Sequence, residues 1–353
     1  MNLIVKAFLF VISFFPFLYS CNSQKENKSS QAGIVQDSTV SVIFETDIGN
    51  DVDDALALDM LYKYADKGQV KILGISTNKD NKYSVPFIDI LNTWYGYPQI
   101  PIGKVVNGAN SENDSHNYAQ TVCEYKTGNQ PAFKRTLTNY ANTPESVSLY
   151  RSLLSQQPDS SVVIISVGFS TNIARLLDSK ADAYSNLNGK ELVNRKVKLL
   201  SVMGGNFEGQ RVKEYNIVKD ANAAGKVFAE WPTPIIVSPF ELGVQITYPA
   251  SSIINDFKWT SLHPVVVAYK SYLPMPYDRP TWDLTAVLYA VEPNKGYFDF
   301  SSQGTISVDD SSYTHFKENP AGKHRYLKVT PSQAQSIKQR FIELITSKPK
   351  NLQ

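Results

Sequence analysis

Between Glu45 and Asp54 the chain carries five carboxylates in ten residues: Glu45, Asp47, Asp51, Asp53 and Asp54, in the run ETDIGNDVDD. Acids packed this closely repel one another unless a cation neutralises them. An all-oxygen donor set points to a hard ion, and Ca²⁺ suits a high coordination number better than Mg²⁺. A helix N-terminus, where the macrodipole favours negative charge, is the plainer alternative and accounts for Asp53 and Asp54. It does not account for Asp47, which follows an apolar run and has Gly49 close behind it. The spacing of an EF-hand loop, with its closing Glu, is absent.

The acidic loop needs an element on each side to hold it. Ser41–Glu45 reads as a buried strand and Asp54–Tyr64 as an apolar helix. The same alternation continues along the chain. Val70–Ile75, Ser161–Val167, Val197–Val202 and Pro234–Ser238 are continuous β-branched runs, as expected of strands buried on both faces. Tyr83–Tyr95, Pro144–Leu154, Thr171–Leu177 and Asp220–Glu230 have helical patterns between them. The tail adds two strands, Thr305–Val308 and Tyr326–Val329, and a last helix, Pro331–Ile345. This rhythm predicts an α/β fold, an open and mainly parallel twisted sheet with helices on both faces, in one domain over residues 39–348. Ligands of such sheets bind beyond the carboxyl ends of the strands, which is where the acidic loop falls.

Composition narrows the partners. The 353 residues hold 35 Lys and Arg against 33 Asp and Glu, a net charge of +2. No field of that size draws in nucleic acid or an anionic membrane surface. Two cysteines, Cys21 and Cys123, can supply neither a disulfide framework nor a four-thiolate zinc site. Residues 1–20 have the build of a secretory signal, with Lys6 ahead of an apolar stretch too short and broken for a comfortable membrane span. They end at Leu-Tyr-Ser-Cys21, which resembles a bacterial lipobox; an ordinary signal peptide with a chance cysteine is the alternative. Residues 22–38 are polar and read as a flexible tether. The expected location is therefore the bacterial cell envelope, exported and held by a lipid on Cys21, with Cys123 left as a buried or reduced thiol.

DIGNDVDDALAL resembles the opening signature of the nucleoside hydrolases, the inosine/uridine-preferring N-ribohydrolases, in a variant two residues longer before the final Asp pair. Haloacid-dehalogenase phosphatases also open on a D-x-D run, but Glu45 stands where their nucleophilic Asp must be. Two more segments fit the hydrolases, VGFSTNIARLL after the third strand and VMGGNFEGQRVKEYNIVKDANAAG after the fourth. The resemblance implies a Rossmann-like nucleoside hydrolase fold, and Ca²⁺-dependent hydrolysis of the N-glycosidic bond of ribonucleosides or related ribosides. It implies Asp47 as general base and metal ligand, with Asp54, Asp283 and the Thr171 carbonyl completing the metal set. It implies that Asp53, or its rival Asp51, accepts a ribose hydroxyl, and that Asn81, Asn206, Glu214 and Asn216 hold the sugar. The partners it implies are a small nucleoside and possible copies of the same chain.

One requirement of the chemistry is not met by resemblance. Ribosyl C–N cleavage passes through an oxocarbenium-like sugar and needs a way to stabilise the leaving base. Where the family commonly has a proton-donating His, this chain has Trp282, which cannot donate a proton at useful pH. Trp282 either stacks on the base or anchors the core beneath its helix. His116 is the substitute acid or else a solvated loop histidine. These departures leave a second reading open, a catalytically weak nucleoside- or sugar-binding lipoprotein that keeps the metal site.

Overall fold

The computed structural model describes residues 39–49, 51–109 and 117–353. The expected export leader and tether, Cys21 and His116 lie outside the described residues. Ser38–Gln353 forms one compact unit.

Six strands form the part of the sheet that carries the site: β1 (Val40–Thr46), β2 (Val70–Thr77), β3 (Ile102–Gly103), β4 (Val162–Val167), β5 (Val197–Met203) and β6 (Ile235–Ser238). Three more close the far side, β7 (Gly304–Val308), β8 (Thr314–Glu318) and β9 (His324–Lys328). Their order in space is β8-β7-β9-β6-β5-β4-β1-β2-β3, with Asp299–Phe300 paired to β9. From β3 to β9 every neighbouring pair is parallel; β7 pairs antiparallel with β9 and with β8. The first six strands thus run 3-2-1-4-5-6, the order of doubly wound dinucleotide-binding sheets, with the switch point between β1 and β4.

Side chains on the strands divide between two cores, as a period of two demands. Val42, Phe44, Val163 and Ile165 join the core on one face, and Ile43, Ile164 and Leu200 the core on the other. Covering both faces is what makes the central strands continuous apolar runs; every residue of β4 is buried. The helix Asp53–Asp66 is buried from Asp53 through Tyr64 and packs against the helix Trp282–Val291. That contact is the main positioning device of the molecule, because it brings two helix N-termini together at the carboxyl end of β1.

The sequence expectations hold for all seven strands and six helices, with ends that shift by a few residues. Tyr326–Val329 starts earlier, at His324, because it pairs parallel with β6 from that residue. The terminal helix keeps both expected ends, since Thr330 and Gln333 form a capping box with Pro331 at the first position. Several elements lacked a sequence signal, among them β8 and the helices Tyr118–Glu124, Gly189–Lys196 and Pro264–Tyr272. Among the described residues no helix is long and apolar enough to cross a membrane. Cys123 is a buried free thiol, its pKa pushed up to about 12 by burial.

Glu45 lies inside the sheet, not on the cation cluster. It is fully buried and accepts hydrogen bonds from the Ser166 hydroxyl at 2.6 Å and the Tyr150 hydroxyl at 2.7 Å. Burial pushes its pKa up to about 7, against those hydrogen bonds. A raised acid contributes stability below its ordinary range near 4.5, and loses it as pH climbs through about 7. Glu45→Gln keeps the shape without the ionisation, so its melting temperature should fall less than wild type between pH 5 and pH 8. Thermal melts across that range check it; parallel curves would refute the role.

Candidate active site

The loops at the carboxyl ends of β1, β5 and β6, together with Tyr272, Arg279 and the start of the helix Trp282–Val291, line one cleft of about 410 Å³. Asp47 stands immediately past the end of β1 and is 4% exposed. Its loop is tied from several sides. The Tyr118 hydroxyl accepts from the Gly49 N–H at 2.7 Å and donates to the Asp51 carbonyl at 2.8 Å, while Ser84 donates to the Ile48 carbonyl at 2.7 Å. Gly168, after β4, packs against Asp47 with a φ of +110°, backbone geometry open chiefly to glycine. A Cβ there would lie 2.5 Å from Asp47 Oδ1 and 2.7 Å from Asn78 Oδ1.

Asp53, Asp54 and Asp283 each bring a carboxylate oxygen to within 4.8 Å of the others, and all three are buried. Asp53 and Asp54 open the helix Asp53–Asp66, and Asp283 lies in the first turn of Trp282–Val291. The two helices are stitched where they meet, since the Asp283 N–H donates to Asp53 Oδ2 at 3.0 Å. Thr46, the last residue of β1, donates its hydroxyl to Asp54. Burial raises the pKa of all three well above the ordinary range, and the neighbouring carboxylates raise it further. Asp47 is pushed up to about 7 by burial, with the positive charge of Lys79 pulling the other way. Asp53, Asp54 and Asp283, buried acids that cannot all ionise against one another and that offer only oxygen, could hold a divalent cation, with Asp47 lining the same cleft. The residues fit such an ion.

The structure does not bring all the expected residues into this cleft. Asp47, Asp53, Asp54, Glu214, Asn216, Trp282 and Asp283 line it. Glu214 is buried and holds the start of the helix Tyr215–Lys219, accepting from the N–H groups of Asn216 at 2.8 Å and Ile217 at 3.0 Å. Asn206, Asn81 and Thr171 are not in the lining. Asn206 is turned into its own loop, donating to Glu241 at 2.8 Å and accepting from the Val212 N–H at 2.9 Å. Asn81 accepts from the Tyr83 N–H at 2.8 Å, an Asx turn ahead of its helix. Asn78, three residues earlier, is the buried asparagine beside Asp47, with Oδ1 unpartnered. The Thr171 hydroxyl donates to Asp220 at 2.6 Å.

Asp51 and Asp53, left as rivals by sequence, separate clearly. Asp53 belongs with the acid cluster, whereas Asp51 pairs with Arg279, whose Nε donates to Oδ1 at 2.8 Å and whose Nη2 donates to Oδ2. Trp282 is both anchor and wall. Its indole N–H donates to the Phe240 carbonyl at 3.0 Å, its ring stacks on Phe240, and it still faces the cleft. It packs so closely over Gly243 that a Cβ there would lie 2.1 Å from the indole. Arg279, Tyr272 and Lys79 carried no signal in the sequence, and Met203 entered only as part of the VMGG segment. Lys79, 2% exposed, could be suspected only as a charge directly after a buried strand.

The family model for inosine-uridine preferring nucleoside hydrolases matches residues 42–335. No curated protein matches the chain in sequence. Solved structures resemble it at low identity. A purine-preferring ribonucleoside hydrolase from Gardnerella vaginalis aligns with a TM-score of 0.67 at 16% identity, over 87% of this chain and 99% of the other. A plant nucleoside hydrolase gives 0.64 at 16%, over 88% and 99%. An inosine-uridine preferring nucleoside hydrolase from Bacillus anthracis gives 0.63 at 15%, over 87% and 100%. At these identities the likeness is one of fold.

If the acid cluster takes a divalent cation, Ca²⁺ added to EDTA-treated protein should raise its melting temperature, by about 3 kcal/mol of stability at a hundred times Kd. Asp54→Asn should remove most of that rise. A melting temperature indifferent to both Ca²⁺ and EDTA would exclude the site.

Proposed function

The chain belongs to the inosine-uridine preferring nucleoside hydrolase family, and from that membership we propose that it hydrolyses the N-glycosidic bond of ribonucleosides with the help of Ca²⁺, releasing ribose and a free base. The observation that carries the reading is the buried meeting of Asp53, Asp54 and Asp283 beside Asp47, at the carboxyl end of β1. Calcium is the choice of ion because the donors are carboxylate oxygens in number.

Asp54 and Asp283, with Asp53 in reach, would hold the cation, which when bound lowers the pKa of a water and ligates the sugar diol. Asp47, buried at the end of β1 and facing the cleft, takes a proton from the attacking water. Asp53 spends one oxygen on the Asp283 N–H and keeps acceptor capacity for a ribose hydroxyl. Glu214 and Asn216 stand across the cleft as the other sugar contacts. The aromatic rings of Phe240, Tyr272 and Trp282 line the part of the cleft that would take a base. We further propose, from residues 1–38 alone, an exported domain tethered to the envelope through Cys21.

Incubating the purified chain with a panel of common ribonucleosides should release reducing sugar, and EDTA should abolish the release. Asp47→Asn should cut kcat by about 10²–10⁴-fold with KM little changed. Tight calorimetric binding of nucleoside without turnover would instead select a binding lipoprotein, and neither binding nor turnover would overturn the proposal.

A further inference from the structure

We infer that Arg279 is the catalytic group that stabilises the departing base, and that Asp51 is the positioning residue that aims it. The inference rests on the hydrolase reading above. It joins two features that otherwise stand apart, the Trp at position 282 and the two extra residues in the acidic loop.

Arg279 sits on a two-residue strand, Arg279–Pro280, paired antiparallel with Thr247–Tyr248. Four positions later comes Asp283 of the acid cluster, and both Arg279 and Asp283 line the cleft. It is held on three sides. Asp51 grips Nε and Nη2 as a bidentate pair, and the guanidinium carbon lies 5.0 Å from the Tyr272 ring centre and 5.1 Å from that of Trp282. The bidentate pair leaves the Nη1 N–H groups outside it. Asp51 is itself fixed, because the Tyr118 hydroxyl donates to its carbonyl at 2.8 Å. A planar cation clamped by a carboxylate and two rings, 18% exposed at a cleft wall, is pre-organised to meet charge as it develops.

The bond changes then balance without a general acid at the base. The water oxygen bonds to C1′ as its proton passes to Asp47. The C1′–N bond breaks and its electron pair stays on the base nitrogen, so the base departs as an anion. Arg279 cannot surrender a proton, but its N–H groups and charge stabilise that anion. The base takes its proton from solvent after release, and Asp47 returns its own to solvent. Trp282, whose indole N–H is already committed to the Phe240 carbonyl, serves this scheme as a face for the guanidinium.

The test compares inosine and uridine with p-nitrophenyl riboside, whose leaving group departs as an anion unaided. Arg279→Gln should lower kcat on the nucleosides by about 10²–10³-fold, the cost of one pre-organised donor, and leave the aryl riboside within about tenfold. Asp51→Asn should show the same split at smaller amplitude. Arg279→Gln leaves Asp51 unpaired beside other acids, so the double variant Asp51→Asn/Arg279→Gln, checked by its melting curve, must reproduce the split. Equal losses on all three substrates, or a change in KM alone, would overturn the assignment. A wild-type chain that cleaves neither class overturns the hydrolase reading itself, and this inference with it.

Discussion

Three carboxylates from two helix N-termini meet in a place without room for their charge. Burial disfavours the ionised form of each of Asp53, Asp54 and Asp283, and their mutual repulsion adds to that cost. The macrodipoles of both helices favour negative charge at these ends, at about 0.3–1 kcal/mol for each. That is too little to offset burial of three anions, so a cation or protons must complete the site. Much of the fold serves this meeting. The helix Asp53–Asp66 is buried along most of its length, and its partner Trp282–Val291 is pinned to it by the Asp283-to-Asp53 hydrogen bond.

The sheet supplies the other half of the arrangement. Strand order reverses between β1 and β4, so the loops beyond them part and leave a crevice. Asp47 occupies one lip, and Gly168 lets the other approach it. Beneath them Glu45 keeps a carboxylate in the apolar layer, satisfied by Ser166 and Tyr150. Position 45 is therefore a matter of the interior, two residues back along the chain from the chemistry at Asp47.

What the amino-acid sequence disclosed follows from how local each signal is. Strands buried on both faces announce themselves as apolar runs, and the terminal helix is bracketed by its own capping box. The acid cluster was half legible, since Asp53 and Asp54 are adjacent and Asp283 is recognisable by resemblance. The helix Pro264–Tyr272 was hidden because its Val-Val-Val run has strand-like chemistry, and only its Pro and the His263 cap mark a helix start. The Asp51–Arg279 pair spans 228 positions, so nothing near either residue reveals it. Asn81 misled because the buried place beside Asp47 goes to Asn78, three residues earlier on the same turn out of β2. Glu214 and Asn216 do line the cleft, and Glu214 also holds the start of its own helix by accepting from the Asn216 and Ile217 N–H groups.

The indole of Trp282 lies on the bare backbone of Gly243, so close that even a methyl group would collide with it. The two positions are therefore one unit of inheritance. Exchanging the indole for a smaller ring opens a gap over the glycine, and enlarging the glycine first expels the indole. A lineage carrying this pair can shrink position 282 to an imidazole at the cost of a cavity, but cannot enlarge position 243 while the indole stays in place. The contact that fills this space comes from 39 residues away in the chain, and a designer grafting a proton donor at position 282 gains packing by refilling the space over Gly243 as well.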